Sequence, residues 1–129
     1  MSNKKCPARP VETLVKVITK RWNLQILYDM FNGKRHFNEF KEDKPDLLNK
    51  TLSRCLQELE SNNLIEKKTN PNDEKDTEYI LSENGRLLNR IIYDLMVYSM
   101  DIDRENEYFT EEYKEIMKKQ AQITLNIDN

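Results

Sequence analysis

The stretch from Asp46 to Thr69 constrains the chain most. Leu52, Leu56 and Leu59, with Cys55 between them, recur at three- and four-residue spacing, which gathers them on one face of a helix. Lys50, Ser53, Arg54 and Gln57 stand at i, i+3, i+4 and i+7 and form a second stripe on the opposite, solvent-facing side. Asn62-Asn63 ends the helix, because Asn tolerates the left-handed conformation at a helix C-terminus. An extended run begins at Leu64. The acids Glu58 and Glu60 fall at the C-terminal end, while Asn49, Lys50, Arg54 and Gln57 precede them. A helix dipole favours the reverse order. The pattern points to an external anion such as phosphate; an ordinary solvated face is the alternative.

The flanking sequence frames this helix. Residues 1–9 read as a flexible polar segment containing Cys6. Pro10 suits a first helical position, and Val11, Leu14, Val15 and Ile18 supply the stripe of a short helix. Trp22 to Phe31 is apolar nearly all round, as in a buried central helix, with Trp22 in the core. Asn32-Gly33 stops it. His36 to Asp43 reads as a short helix with Phe37 and Phe40 inward, and Pro45 breaks the chain. Helix, short turn, helix is the order of a helix-turn-helix. Leu64 to Thr69 reads as a strand, residues 70–76 as a polar turn, and Thr77 to Leu81 as the returning strand, with Tyr79 and Leu81 on one face. A hairpin placed there is the wing of a winged helix. Ser82 is a good N-cap for a helix expected to run to about Asp103. Its apolar arc, Leu87 to Met100, is wider than one core needs, and such a patch marks an interface. Thr110 caps a last helix, with Tyr113, Ile116 and Met117 facing one way.

The expected fold class is therefore mainly α with a small β-hairpin: a winged helix-turn-helix over residues 10–103. Residues 104–129 add a C-terminal helix read as a dimerisation extension, the homodimer being expected to form through the N- and C-terminal helices. A terminal helix folded back on its own domain is the alternative. A length of 129 residues suits one domain.

Charge is unevenly distributed. Residues 1–100 carry 17 Lys and Arg against 15 Asp and Glu, a net of +2, whereas residues 101–129 carry 4 against 8, a net of −4. The overall −2 therefore leaves room for a DNA-binding patch. A charged fraction of 34 % and a mean hydropathy of −0.88 suit a soluble cytoplasmic protein, with no membrane-length apolar run and no signal peptide expected. Two cysteines make no disulfide scaffold, and a single histidine, His36, excludes multi-His metal sites. Nothing suggests an enzyme: a glycine-rich phosphate loop, a metal cluster and a nucleophile–base pair are all missing from the sequence. No cofactor or metal is expected.

In order and spacing, the chain resembles an HxlR-type winged-helix transcriptional regulator, a bacterial group related to the MarR regulators, over roughly residues 6–100. Cys6-Pro7 resembles the family's Cys-Pro, Arg21-Trp22 its Lys-Trp, and Leu24 to Met30 its apolar second helix. Gly33-Lys34-Arg35-His36-Phe37-Asn38-Glu39-Phe40 resembles its Gly-x-x-Arg-Phe-x-Glu-Leu. Leu52-Ser53-Arg54, Leu56 and Glu58-Leu59-Glu60 resemble its Leu-Thr-x-x-Leu-x-x-Leu-Glu. Glu78-Tyr79 and Leu81-Ser82-Glu83-Asn84-Gly85-Arg86 resemble its Glu-Tyr and Leu-Thr-x-x-Gly-Arg. There are departures. Lys20 stands where the family often has Gly. Leu48 replaces a Ser at the start of the recognition helix, which leaves Asn49 to cap. The hairpin tip, Asn72-Asp73-Glu74-Lys75-Asp76, is acidic where the family's is rich in Pro and Arg.

The resemblance implies double-stranded DNA as partner, a homodimer on a pseudo-palindromic operator, and no membrane. Arg54 and Gln57 are long enough to read base edges, where Arg prefers guanine and Gln adenine. Asn49, Lys50 and Ser53 are candidates for phosphates or edges, and Arg35, Lys67, Lys68 and Lys75 for phosphates. Lys4, Lys5 and Arg9 favour the thiolate of Cys6. In the family a Cys at this place commonly senses oxidants, quinones or aldehydes, so a small electrophile or oxidant is the implied redox signal; an inert terminal thiol is the alternative. Cys55, facing the core, reads as a small buried hydrophobe, and His36 as polar packing or a phosphate contact. The competing reading of the whole chain is a winged-helix protein-interaction module without sequence-specific DNA binding.

Overall fold

The computed structural model describes residue 12 and residues 14–128, excepting the side chains of residues 74 and 75. Cys6 and the whole of the proposed N-terminal segment 1–9, with Pro10 and Val11, lie outside the described residues. Among the described residues seven helices and two strands follow in order: α1 (Val15–Ile18), α2 (Asn23–Phe31), α3 (Phe37–Lys41), α4 (Asn49–Ser61), β1 (Ile65–Asn70), β2 (Asp73–Leu81), α5 (Glu83–Arg86), α6 (Asn89–Ile102) and α7 (Glu111–Thr124). The arrangement is a winged helix-turn-helix, mainly α with one antiparallel hairpin.

Local chemistry explains most boundaries. Gly33, at φ +95°, ends α2 in a conformation that a side chain would strain. Asn63 takes the left-handed conformation, φ +62°, after α4. Ser82 Oγ accepts from Gly85 N–H at 3.0 Å, and Thr110 Oγ1 from Tyr113 N–H at 3.1 Å, so both expected caps are present. The core collects Ile26, Leu27, Phe40, Leu47, Leu52, Leu59, Ile65 and Leu125, all fully buried. Trp22 is half-buried against this core, with the Arg21 guanidinium 4.1 Å from its ring centre.

Four expectations need correction. The first helix is one turn only, and it buries Val17 while Val15 is exposed. The hairpin is tighter than a seven-residue turn. Asn70 pairs with Asp73 across Pro71-Asn72, and the Asn72 N–H donates to Asn70 Oδ1 at 2.9 Å. This Asx turn lets β2 begin at Asp73, and a register shift between Thr69 and Asn70 absorbs the extra residues. The helix after Ser82 is broken. Leu87 N–H reaches Asn84 O at 3.2 Å and Leu88 N–H reaches Gly85 O at 3.1 Å, a tightened turn that buries Leu88 and leaves Leu87 outside. Finally, Leu48, not Asn49, is the N-cap of α4, and no side chain caps it. Asn49 lies one residue inside, where Oδ1 accepts from the Lys41 ammonium.

The helix α7 packs along α6 within the same chain. Ala121 and Leu125 join the core, Asn89 Nδ2 donates to Leu125 O at 2.8 Å, and Gln122 Nε2 to Tyr93 Oη at 3.1 Å. Even so, Leu87, Ile91, Leu95, Tyr98 and Ile102 form an exposed stripe along α5–α6. Among the described residues no helix is long and apolar enough to cross a membrane.

Candidate nucleic-acid interface

The helix α4 is held from its inner side. Leu52, Cys55, Leu56 and Leu59 are buried in the core. Glu58 also turns inward: Lys20 Nζ donates to its Oε2 at 2.8 Å and Asn23 Nδ2 to its Oε1 at 3.0 Å. Those bonds, the Lys20 one foremost, hold the Glu58 carboxyl below its usual range. Asn23 itself is fully buried at the start of α2, and the same Nδ2 donates to Val17 O at 2.7 Å. One amide thus fastens α1, α2 and α4 together.

The outer side is left to Asn49, Lys50, Ser53, Arg54 and Gln57, all exposed. With Glu58 withdrawn, no acid lies on this stripe before Glu60, exposed at the last turn of α4. The start of α4 carries neither a side-chain cap nor an acid in its first turn, whereas α5 and α7 open with both. Its N–H groups and positive dipole end therefore face outward, an arrangement suited to an anion. Leu48, 65 % exposed at the same end, is a further candidate outside the expected set. An apolar residue in a cap position is the signal that marks it; thymine methyl groups are what such a side chain can read.

Buried contacts hold the turn of the helix-turn-helix. Lys44, almost fully buried, pairs with Asp29 of α2, and Leu47 is buried beneath. His36 precedes α3, where Glu39 Oε1 accepts the backbone N–H groups of Arg35 and His36 at 2.9 Å each and lies 3.1 Å from His36 Nδ1. These bonds, the one from Arg35 first, hold the Glu39 carboxyl at a pKa of about 2.

The flanking cations are less uniform than the stripe. Arg35 is engaged, with Nη1 3.1 Å from Glu78 Oε1 on β2. Lys67 and Lys68 are exposed but alternate across β1, opposite Tyr79 and Glu78 respectively, and Lys68 Nζ lies 3.7 Å from Glu66. The two lysines therefore do not form one patch. The Lys75 side chain lies outside the described residues. His36 turns its Nε2 toward Asp76 Oδ1, 3.9 Å away, so its polar partners are two carboxylates, Glu39 on α3 and Asp76 on the hairpin. Cys55 is a free, buried thiol whose pKa is raised, by burial first and by Glu58 second.

A family model for HxlR-like helix-turn-helix proteins matches residues 17–107. The chain belongs to the HxlR-like helix-turn-helix family. It is 28 % identical over 114 residues to the HTH-type transcriptional regulator YodB of Bacillus subtilis (strain 168), covering 88 % of this chain and all of YodB. It is 35 % identical over 83 residues to the uncharacterised HTH-type regulator YdeP of the same organism, spanning 64 % of this chain and 65 % of YdeP. Among solved structures, the reduced form of the redox regulator HypR matches with a TM-score of 0.66 at 29 % identity, over 72 % of this chain and 92 % of that one. The reduced form of B. subtilis YodB matches with a TM-score of 0.64 at 26 % identity, over 81 % and 100 %. YodB is also known in a quinone-bound form, at 26 % identity and a TM-score of 0.61, over 71 % and 97 %.

Proposed function

We propose that this HxlR-family protein regulates transcription by binding double-stranded DNA through α4. The observation that carries the reading is the outer stripe of α4 from Asn49 to Gln57, which carries no acid because Glu58 is bonded inward to Lys20 and Asn23. Arg54 and Gln57 read base edges in the major groove; Asn49, Lys50 and Ser53 hold phosphates or edges, aided by the uncapped helix start. Lys67, Lys68 and Lys75 of the wing supply weaker phosphate contacts, as does Arg35 once free of Glu78. Residues 10–103 serve as the DNA-binding domain and residues 104–129 as a dimerisation extension. A twofold homodimer sets two α4 helices about 34 Å apart, so the operator is pseudo-palindromic. The exposed stripe Leu87, Ile91, Leu95, Tyr98 and Ile102 supports such an interface.

The signal is an electrophile or oxidant acting at Cys6. YodB, which binds a quinone in one of its solved forms, and the redox regulator HypR support this reading. A footprint on the DNA upstream of the gene, with and without a quinone, tests the whole scheme. Protection of two half-sites, lost with quinone in the native protein and kept in Cys6→Ser, is the expected result. A stable dimer that protects no DNA would favour the protein-interaction reading.

A further inference from the structure

His36, Asp76 and Glu78 each bring one donor atom to a common point, all within 4.8 Å of one another. They come from two elements: His36 from the start of α3, Asp76 and Glu78 from β2. The approach is built into the backbone, since Tyr79 N–H donates to Arg35 O at 2.7 Å and the Phe40 and Tyr79 rings meet edge to face. These backbone and ring contacts hold the two elements that carry the partly exposed donors side by side.

We infer that these three residues form a binding site for a divalent transition-metal ion of the Zn2+ class, bridging α3 and the hairpin. The chemistry of each donor fits. A carboxylate only accepts, so the tautomer in which His36 Nδ1–H donates to Glu39 Oε1, 3.1 Å away, is the one that leaves the Nε2 lone pair for a metal. A carboxylate behind a ligating imidazole is the usual device for orienting it. Asp76 is held similarly: Asn70 Nδ2 donates to its Oδ2 at 3.2 Å, and Oδ1 faces His36 Nε2 at 3.9 Å. Arg35 Nη1 holds Glu78 Oε1 at 3.1 Å. Donors around a tetrahedral Zn2+ stand about 3.4 Å apart for bonds of about 2.1 Å, so small side-chain rotations close the shell, with water as a fourth ligand. One imidazole and two carboxylates form a set that suits Zn2+, Co2+ or Mn2+. An ion there pins the hairpin to α3 and neutralises carboxylates on a strand that is otherwise acidic. The site stands independently of the DNA-binding reading.

The test uses the full chain in a Cys6→Ser background, which removes that thiolate as a competing ligand. Zn2+ is titrated calorimetrically and Co2+ by its visible absorption, and the thermal midpoint is measured with Zn2+ and with chelator. Expected are one ion per chain, a midpoint raised by Zn2+, and at least tenfold weaker binding in His36→Asn and Asp76→Asn. Asn is a competent N-cap, and Asp76 is exposed, so both variants should fold, as far-UV circular dichroism will verify. Glu39→Gln should weaken binding by about 10–100-fold, the usual effect of losing an orienting partner. Zn2+ binding of unchanged affinity in His36→Asn and Asp76→Asn, or no binding and no midpoint shift in the parent, overturns the proposal.

Discussion

The Asn23 amide donates to Glu58 Oε1 at 3.0 Å from a fully buried position on α2, and so fixes the outer helix of the helix-turn-helix from behind. Both its bonds, to Glu58 and to Val17 O, need an NH2 donor, and among the described residues the buried Asn23 Oδ1 meets no donor. The side chain is kept for its two donated bonds at the expense of one unmet acceptor. Asn23→Ala removes the donor and should cost roughly 1–3 kcal/mol of stability in urea unfolding. Asn23→Asp should do worse at neutral pH, because a second carboxylate then faces Glu58. That pair's folded pKa rises, so the variant regains stability below the ordinary carboxylate range and loses it as pH rises. An Asn23→Asp stability profile parallel to wild type across pH would contradict this account.

Glu58 itself gives a pH prediction of opposite sign. Its folded pKa lies below the ordinary 4.5. Its contribution is therefore complete above that value and fades as pH falls through the lowered one. Glu58→Gln should destabilise at pH 7, and the gap to wild type should close under acid. A gap that stays constant from pH 7 to pH 2 would mean that the carboxylate charge is not what matters.

How much of this was legible beforehand depends on the range of the interaction. Gly33, Asn63, Ser82 and Thr110 act on their own neighbours, so turn and cap chemistry gave their places away. The repeat of Leu52, Cys55, Leu56 and Leu59 gave the buried face of α4. The partners of Glu58 stand 38 and 35 residues away, and that of Arg35 stands 43 away. No local pattern encodes those distances, so Glu58 looked like a surface acid and Arg35 like a free cation. The same holds for the break at Leu87-Leu88, which follows a contact between Gly85 and Leu64, and for the convergence of His36 with Asp76 and Glu78.

That contact makes Gly85 the less replaceable of the two glycines. A Cβ there would lie 2.0 Å from the Leu64 carbonyl oxygen, which already accepts the Ser82 N–H at 3.0 Å. Backbone cannot yield as a side-chain tip can. Gly85→Ala should cost about 3 kcal/mol or more, at or beyond the top of the usual over-packing range. At Gly33 a Cβ meets nothing within 4 Å, and the cost comes from φ +95° alone, about 1–2 kcal/mol. Thermal unfolding of the two variants should rank them in that order; the reverse ranking would disprove the steric argument.

Cys55 should be silent in thiol chemistry. Burial, with Glu58 adding to it, raises its pKa, and the thiolate is the reactive form. In native protein at pH 8, iodoacetamide should leave Cys55 unmodified by peptide mass mapping, while urea-unfolded protein is alkylated there within minutes. Equal rates in both states would show that α4 opens readily, which its buried leucines argue against.

The exposed stripe on α6 is tested most directly at its middle. Leu95 is 43 % exposed, with Ile91 and Tyr98 one turn to either side, also exposed. Water is a poor neighbour for such a row, and α7 covers a different side of α6. Burying each of these side chains against a second copy would contribute about 1.5–3 kcal/mol when complete. A charge introduced there would have to be desolvated without a partner. Leu95→Glu should therefore halve the mass seen by sedimentation equilibrium at micromolar concentration. It should leave the far-UV circular dichroism unchanged, since the position contributes little to the monomer core. If two α4 helices engage DNA together, as proposed, the same change should weaken DNA binding far more than it weakens folding. A wild-type chain that sediments as a monomer, or a Leu95→Glu variant of undiminished mass, would move the interface away from this stripe.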